Sequence, residues 1–523
     1  MPLPDSIRKT LRNWPSVLVV IASAGLGLLL VTRPLEFLLT NVVPDDAFYY
    51  FQIARNIASG AGPTFDGVHP TNGFHPLWTA LLVPVFHAFS TGAVPDLMPV
   101  RAALLICILF FAAASVLVFF IISRYTQNPW IRALALALFA LNPFLLFEAS
   151  GGLETSLALL AASGFFLAAL SYPEQPRPRQ MLLLGLLGGV MILARIDMAF
   201  YLAAFLLWRL AKAPSYARLR EVLFTGIIAT AAVSPWFLWN LSQFGMLLTS
   251  AANGNSMVSH ALIVQDHGTS AFQFVKAVLY GIDYQVRSLI LHTGSPAIAL
   301  SLLGAALAFF ALGRARIPRL AETTALHALF FGFAALFLVN VGIRLWARSW
   351  YFVTFGIFVA LLFVFVAESL RPHLTRPRIV AACFALFAVY AFSVSWSKHL
   401  RDQWPTGTEL YAAALWRDAH LPPDAVTGSF NAGIEGYFSR VRVVNLDGLV
   451  NNSAFEALRD RRLLSYMRDA GITVFVDYDL YLDYRYRSFF EDPQYRTHFT
   501  LLDRISFTKN ERSGDGLGIY EFK

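Results

Sequence analysis

Eleven apolar stretches, each bounded by charge, proline or loop signals, constrain this 523-residue chain more than any other feature. They lie near residues 17–39, 97–122, 131–147, 155–170, 181–194, 198–212, 222–241, 296–312, 324–341, 350–367 and 379–396. About 20 residues of helix cross the hydrocarbon layer, and a backbone in lipid must satisfy its own hydrogen bonds, which a helix does within one segment. Composition agrees. The chain is 57% hydrophobic and only 14% charged, against about 25% charged in an ordinary soluble protein. The expected fold class is a polytopic α-helical membrane protein with about 11 transmembrane helices. Disorder, a secreted disulfide scaffold and a soluble nucleic-acid binder are excluded, the last despite a net charge of +8. The two cysteines, Cys107 and Cys383, sit inside apolar runs and offer neither a disulfide framework nor a cysteine zinc site. The opening MPLPDSIRKTLRNW leads into the first apolar run without a small-residue cleavage signature, so that run is read as a retained span.

Lysine and arginine in the short loops set orientation. With the N-terminus cytoplasmic, basic residues favour the inner segments roughly two to one, provided that the apolar stretch 76–89 does not cross. It is therefore read as a juxtamembrane or re-entrant helix on the outer face. Two outer segments, 40–96 and 242–295, interrupt the membrane part, which is taken as 1–396. From residue 397 charge becomes dense and balanced, and short β-rich pieces (425–430, 441–446, 471–478, 517–522) alternate with helical ones (407–420, 453–470). That alternation predicts an extracytoplasmic α/β domain over 397–523.

The segment PDDAFYYFQIARNIASGAGPTFDGVHPTNGFHPLW, residues 44–78, carries the most chemistry. Asp45 and Asp46 open a helical pattern that Gly60 stops. One of them is expected to cap that helix, leaving the other at the membrane–water boundary beside Tyr49 and its aromatic neighbours. A fixed, partly desolvated carboxylate is what a general base for a hydroxyl requires; it also suits a divalent cation, with Asp46 and His75 the candidate ligands. Asn72 and His75 lie in a tight turn and are read as polar groups aimed back at the acidic pair. Charges at membrane depth point to function. Arg195 and Asp197 occur in LARIDMAF, either as a mutual pair or as part of a site. Arg344 and Arg348, four apart in VGIRLWARSWYF, are expected on one helical face, either as interfacial arginines or as a clamp for a phosphodiester, which guanidinium matches well. Glu154 follows two glycines at a helix start, as a cap or a cavity acid.

The Asp-Asp pair after the first span, the outer juxtamembrane helix, the many spans and the external α/β domain together resemble the GT-C superfamily of membrane glycosyltransferases. The DDAFYYFQIARNIASG run, the PTNGFHPLW run, GLET at 152–155 and the Arg-x-Asp of Arg195 to Asp197 are similar to the bacterial branch containing the mycobacterial terminal arabinofuranosyltransferase. The resemblance implies an inverting transfer of a sugar, arabinofuranose in that branch, from a polyprenyl-phosphate donor to a cell-envelope glycan, lipid or protein acceptor. It places the active site on the outer face of a bacterial inner membrane. Carried over by position, Asp45 or Asp46 is the base; Arg195, Arg344, Arg348 and His75 hold the donor phosphate, and Tyr49, Asn72, Glu154 and Asp197 line the substrates. No nucleic acid and no definite cofactor is expected. The chain departs from that branch at His75 and in its shorter external domain, and it lacks a W-W-D-Y-G-like signature, which disfavours en bloc oligosaccharide transfer. A lipid or polysaccharide transporter, or a non-catalytic envelope-assembly protein, is the alternative; neither mid-span charges nor repeat symmetry favours a transporter.

Overall fold

The computed structural model describes residues 13–90, 96–291, 293, 296–300, 324–344, 348–371, 377–400, 403–507 and 516–523. Four helices are long and apolar enough to cross a membrane: Trp14–Val31, Met98–Ser123, Tyr216–Phe244 and Ala325–Gly342. A fifth crossing is available from the pair Pro129–Ala140 and Pro143–Ser150. The sequence reads this pair as one uninterrupted span, and the structure corrects it: the chain bends by 52° at the break. Pro143 supplies no N–H there, and Asn142 restarts the helix by accepting from the Phe144 and Leu145 amides at 3.0 and 3.4 Å. Shorter apolar helices fill in between, including Thr155–Leu170, Pro178–Ala194 and Phe355–Leu370. The expected span 296–312 lies largely outside the described residues. Large apolar side chains such as Ile21, Leu29, Leu109 and Ile227, each at least 60% exposed, point outward from these helices. An apolar exterior of this kind suits lipid rather than water.

Small residues bring the helices together. A Cβ on Gly185 would lie 2.7 Å from the Thr225 carbonyl, and one on Gly189 would lie 2.6 Å from the Ala232 Cβ. The helix Pro178–Ala194 therefore packs backbone to backbone on Tyr216–Phe244, as small residues allow in lipid. Helix Pro76–Phe89 has 14 residues, about 21 Å of rise, which falls short of the hydrocarbon thickness.

The C-terminal part holds a five-stranded sheet of order β2-β1-β3-β5-β4. Strands β1 (Val426–Ser429), β2 (Arg442–Asn445) and β3 (Val474–Tyr478) are parallel; β4 (Phe499–Ile505) and β5 (Leu517–Phe522) complete it antiparallel. The predicted helix 453–470 is two helices, Asn452–Arg459 and Leu463–Asp469, separated where Arg461 takes a left-handed φ of 52°.

This sheet layer does not stand apart from the first outer segment. Gly433 and Gly436 sit where a Cβ would meet the Asp45 carbonyl at 2.2 Å and the Phe65 ring at 2.5 Å. Gly73 meets the Leu449 carbonyl still more closely. Arg442 pairs with Asp66 at 2.9 Å, and Arg55 stacks over Tyr437 at 4.5 Å while donating to its carbonyl at 3.0 Å. One apolar core contains residues from both layers, among them Phe48, Phe51, Tyr437 and Phe438.

Candidate active site

The acidic pair is split by this docking. The helix Asp45–Ala58 begins after Pro44 with no side-chain cap, so the expected local cap is not formed. Asp45 instead accepts from the Ile434 and Gly433 amides at 2.6 and 3.2 Å, capping the short helix Ala432–Phe438 from 388 residues away. Burial pushes its carboxyl up to about 7, partly offset by the Ile434 amide, with the charge of Asp46 adding to the rise.

Asp46 points the other way, into a cavity of about 440 Å³. Helix Asp45–Ala58 contributes Asp46 and Tyr49, and the helices Ser250–His267 and Ala271–Leu291 contribute Asn255, Ser259, Tyr280 and Tyr284. The turn beginning at Arg348 adds Arg348 and Tyr351. The sheet supplies Asn431 just after β1, Asp447 just after β2, and Tyr481, Arg485 and Tyr486 just after β3. All three parallel strands thus deliver residues from their carboxyl ends, where open α/β sheets bind ligands.

The cavity's charges face one another unpaired. Burial raises the Asp46 carboxyl above its ordinary value; Arg348 and Arg485 pull it back, and Glu154 pushes it up. Among the described residues, none of Asp46, Asp447, Arg348 and Arg485 is in an ion pair within 4.0 Å. Burial likewise moves Asp447 up to about 8, against the Leu449 amide that donates to it at 2.8 Å. The Tyr49 hydroxyl donates to the Phe430 carbonyl at 3.2 Å and lies 3.5 Å from the Asp447 carboxylate. Arg485 lies beside the rings of Tyr481 and Tyr486 at 5.4 and 5.7 Å, which hold a guanidinium without neutralising it.

The remaining candidates fall outside the cavity wall. Arg195 is fully buried; it donates to the Trp350 carbonyl at 2.6 Å and to Asp197 at 3.0 Å, and stacks on Tyr351 at 4.4 Å. Glu154 occupies the position before helix Thr155–Leu170 but makes no cap bond there; it lies 3.9 Å from Arg195 and 3.6 Å from His75. Asn72 is buried at a three-way junction, accepting from Ser250 N at 3.0 Å and from the Asn452 amide at 3.1 Å. It ties three segments together instead of facing the cavity. The Arg344 side chain and residues 345–347 lie outside the described residues, and with them the expected shared face of Arg344 and Arg348; Arg348 itself precedes a 3-10 turn, Ser349–Phe352. Among the described residues no group of three or more His, Cys, Asp or Glu could hold a metal ion.

Arg485 and Asp447 are not in the site set drawn from the sequence. The usable signal was position: YLDYRYR begins two residues after the apolar strand VFVDY, and LDG follows VRVVN.

Comparison with solved structures gives fold relatives at low identity. The Archaeoglobus fulgidus oligosaccharyltransferase, in a complex with Zn and sulfate, is 14% identical with a TM-score of 0.57, covering 96% of this chain and 73% of that one. Archaeal AglB from the same organism, with an inhibitory peptide and a dolichol-phosphate, is 15% identical at 0.52, covering 98% and 74%. ArnT from Cupriavidus metallidurans, bound to undecaprenyl phosphate, is 13% identical at 0.54, covering 96% and 97%. A family model described as a domain of unknown function, DUF8728, matches residues 398–520. No curated protein sequence matches the chain. At these identities the likeness is one of fold, and it spans nearly the whole chain; none of these three structures is described as an arabinofuranosyltransferase.

Proposed function

We propose that this protein is an inverting glycosyltransferase that takes a sugar from a polyprenyl-phosphate donor to an acceptor on the outer face of a bacterial inner membrane. The observation that carries the reading is Asp46: a half-buried acid facing a cavity shared with two arginines that, among the described residues, make no ion pair within 4.0 Å. Two of the fold relatives are described with dolichol-phosphate and undecaprenyl phosphate, which supports a lipid-phosphate donor. Arg348, one of the four residues the sequence offered beside Arg195, Arg344 and His75, takes the phosphate together with Arg485. The acceptor hydroxyl gives its proton to Asp46 as its oxygen bonds to the anomeric carbon; the bond from that carbon to the phosphate oxygen breaks, and the polyprenyl phosphate leaves with the electron pair. The base works only when ionised, which the two arginines favour and burial opposes. Tyr49 and Asp447 line the acceptor side. Arabinofuranose is the sugar proposed, on the motif resemblance, and an envelope glycan, lipid or protein is the acceptor.

The test is genetic and chemical. Deletion should cause one polyprenyl-phosphate sugar to accumulate, and mass analysis of the lipid fraction identifies it. Wild type and Asp45→Asn should clear that lipid on re-expression, and Asp46→Asn should not. Clearance by Asp46→Asn would favour a transporter or an assembly scaffold.

A further inference from the structure

We infer that Arg195 is a positioning residue, which sets Arg348 in the donor-phosphate site through the backbone of the turn between them. The inference rests on the proposed phosphate role of Arg348. Arg195 breaks the chain between the helix Pro178–Ala194 and the turn Ile196–Met198, with its backbone extended at φ −161° and ψ 117°. That break aims its side chain sideways at another segment. One terminal nitrogen donates to the Trp350 carbonyl at 2.6 Å, and the guanidinium plane lies on the Tyr351 ring at 4.4 Å. Asp197, at 3.0 Å on the other terminal nitrogen, and Glu154, 3.9 Å from Nε, fix the guanidinium in that pose.

The segment so gripped is a single 3-10 turn, Ser349–Phe352, closed by the Tyr351 amide donating to the Arg348 carbonyl at 3.0 Å. One turn of this kind has little hydrogen bonding of its own. Trp350 is 5% exposed and its ring packs against Trp404 at 6.2 Å. The Arg348 guanidinium in turn rests over the Trp350 ring at 5.8 Å. A physical chain therefore runs from Arg195 to the Trp350 carbonyl, through the Trp350 ring, to the exposed cation at the cavity. Tyr351, which lines the cavity, is held by the same guanidinium. A long arginine at an exposed position otherwise gives up rotamer freedom when it binds; the gripped turn removes part of that cost beforehand. Arg195 itself is fully buried and never meets the ligand.

The experiment is a double-mutant cycle on the full chain in nanodiscs, with undecaprenyl phosphate as the probe and thermal unfolding followed in parallel. Arg348→Ala is expected to weaken binding about tenfold or more. Arg195→Met should weaken it several-fold, and the double variant should bind no worse than Arg348→Ala alone, because each substitution removes the same link. If Arg195→Met does not fold, Trp350→Leu keeps the gripped carbonyl while removing the ring under Arg348, and it should show the same non-additivity. Full additivity, or unchanged affinity in Arg195→Met or Trp350→Leu, overturns the inference while leaving the phosphate site standing. Unchanged affinity in Arg348→Ala overturns both.

Discussion

The helices Pro178–Ala194 and Ala199–Lys212 meet a charged cluster at each end, and the two clusters are built on opposite principles. At one end Arg209, Arg218 and Lys212 interlock with Glu174 and Glu221, every charge within 3.3 Å of an opposite one. At the other end lies Arg195, equally enclosed, and beyond it a cavity where Asp46, Asp447, Arg348 and Arg485 face each other without pairing. A buried ion pair costs desolvation and regains it through close contact, so a cluster that closes on itself has nothing left for a ligand. The open cluster forgoes that return, and a lipid-borne phosphate and an acceptor hydroxyl are the groups that would supply it. On the proposed reading, the difference separates charges that hold the helices together from charges left for a ligand.

That contrast can be broken at several points. Asp46→Asn should lower transfer about a thousandfold, the middle of the range for loss of a general base, with undecaprenyl phosphate binding retained; single-turnover transfer and equilibrium binding check the two halves. Glu221→Gln should act oppositely: removing one partner of a buried pair costs about 3 kcal/mol or more, so thermal unfolding shifts down while turnover per folded molecule stays the same. Replacing Arg485 by Ala should weaken undecaprenyl phosphate binding by about tenfold, corresponding to ~1.5 kcal/mol for a charged hydrogen bond, without loss of thermal stability. A large drop in stability would mean that Arg485 belongs with the closed cluster.

A further effect is a pH dependence at Asp45. Its carboxyl is raised from 3.8 to about 7 in the folded chain, so folding favours the protonated form. The stability this contributes is complete below the unfolded value and is lost as pH rises through the folded one. Wild type should therefore lose stability relative to Asp45→Asn between about pH 4 and 7. Parallel melting profiles for the two proteins across that window would mean that burial does not raise the Asp45 carboxyl. Asp66 runs the other way: its carboxyl is held down at about 2 by His69 and Arg442 in spite of burial, so its contribution persists at neutral pH and fades only in strong acid.

What the sequence discloses follows from how local the cause is. Apolar runs mark most of the helices because lipid imposes its demand residue by residue, and Pro76–Phe89 is recognisably too short. The break at Asn142 and Pro143 was local as well, yet it was hidden by the apolar residues on both sides. Asp46 stands out because the pair opens a helix at the end of a span. The fate of Asp45 is set by amides at 433 and 434, and no local pattern reveals that partner. Arg485 was obscured in a stretch of tyrosines and charges that looks like solvated loop. Arg195 pairs with Asp197, one of the two readings its sequence allowed, but it also donates to the main-chain carbonyl of Trp350, and a carbonyl leaves no signature in sequence. Strand β4 went unread because its exposed Leu501, Leu502 and Asp503 lack the alternation of a half-buried strand, a pattern disturbed by the bulge between Leu501 and Asp503.

The pH profile of kcat/KM tests most directly whether the unpaired cluster does the chemistry. Its rising limb should report the ionisation of Asp46 in the free protein. Because Arg348 and Arg485 favour the charged carboxylate, replacing either with Gln should move that limb to higher pH, and Asp46→Asn should abolish it. A limb that stays in place in both arginine variants, or that survives in Asp46→Asn, would contradict the account.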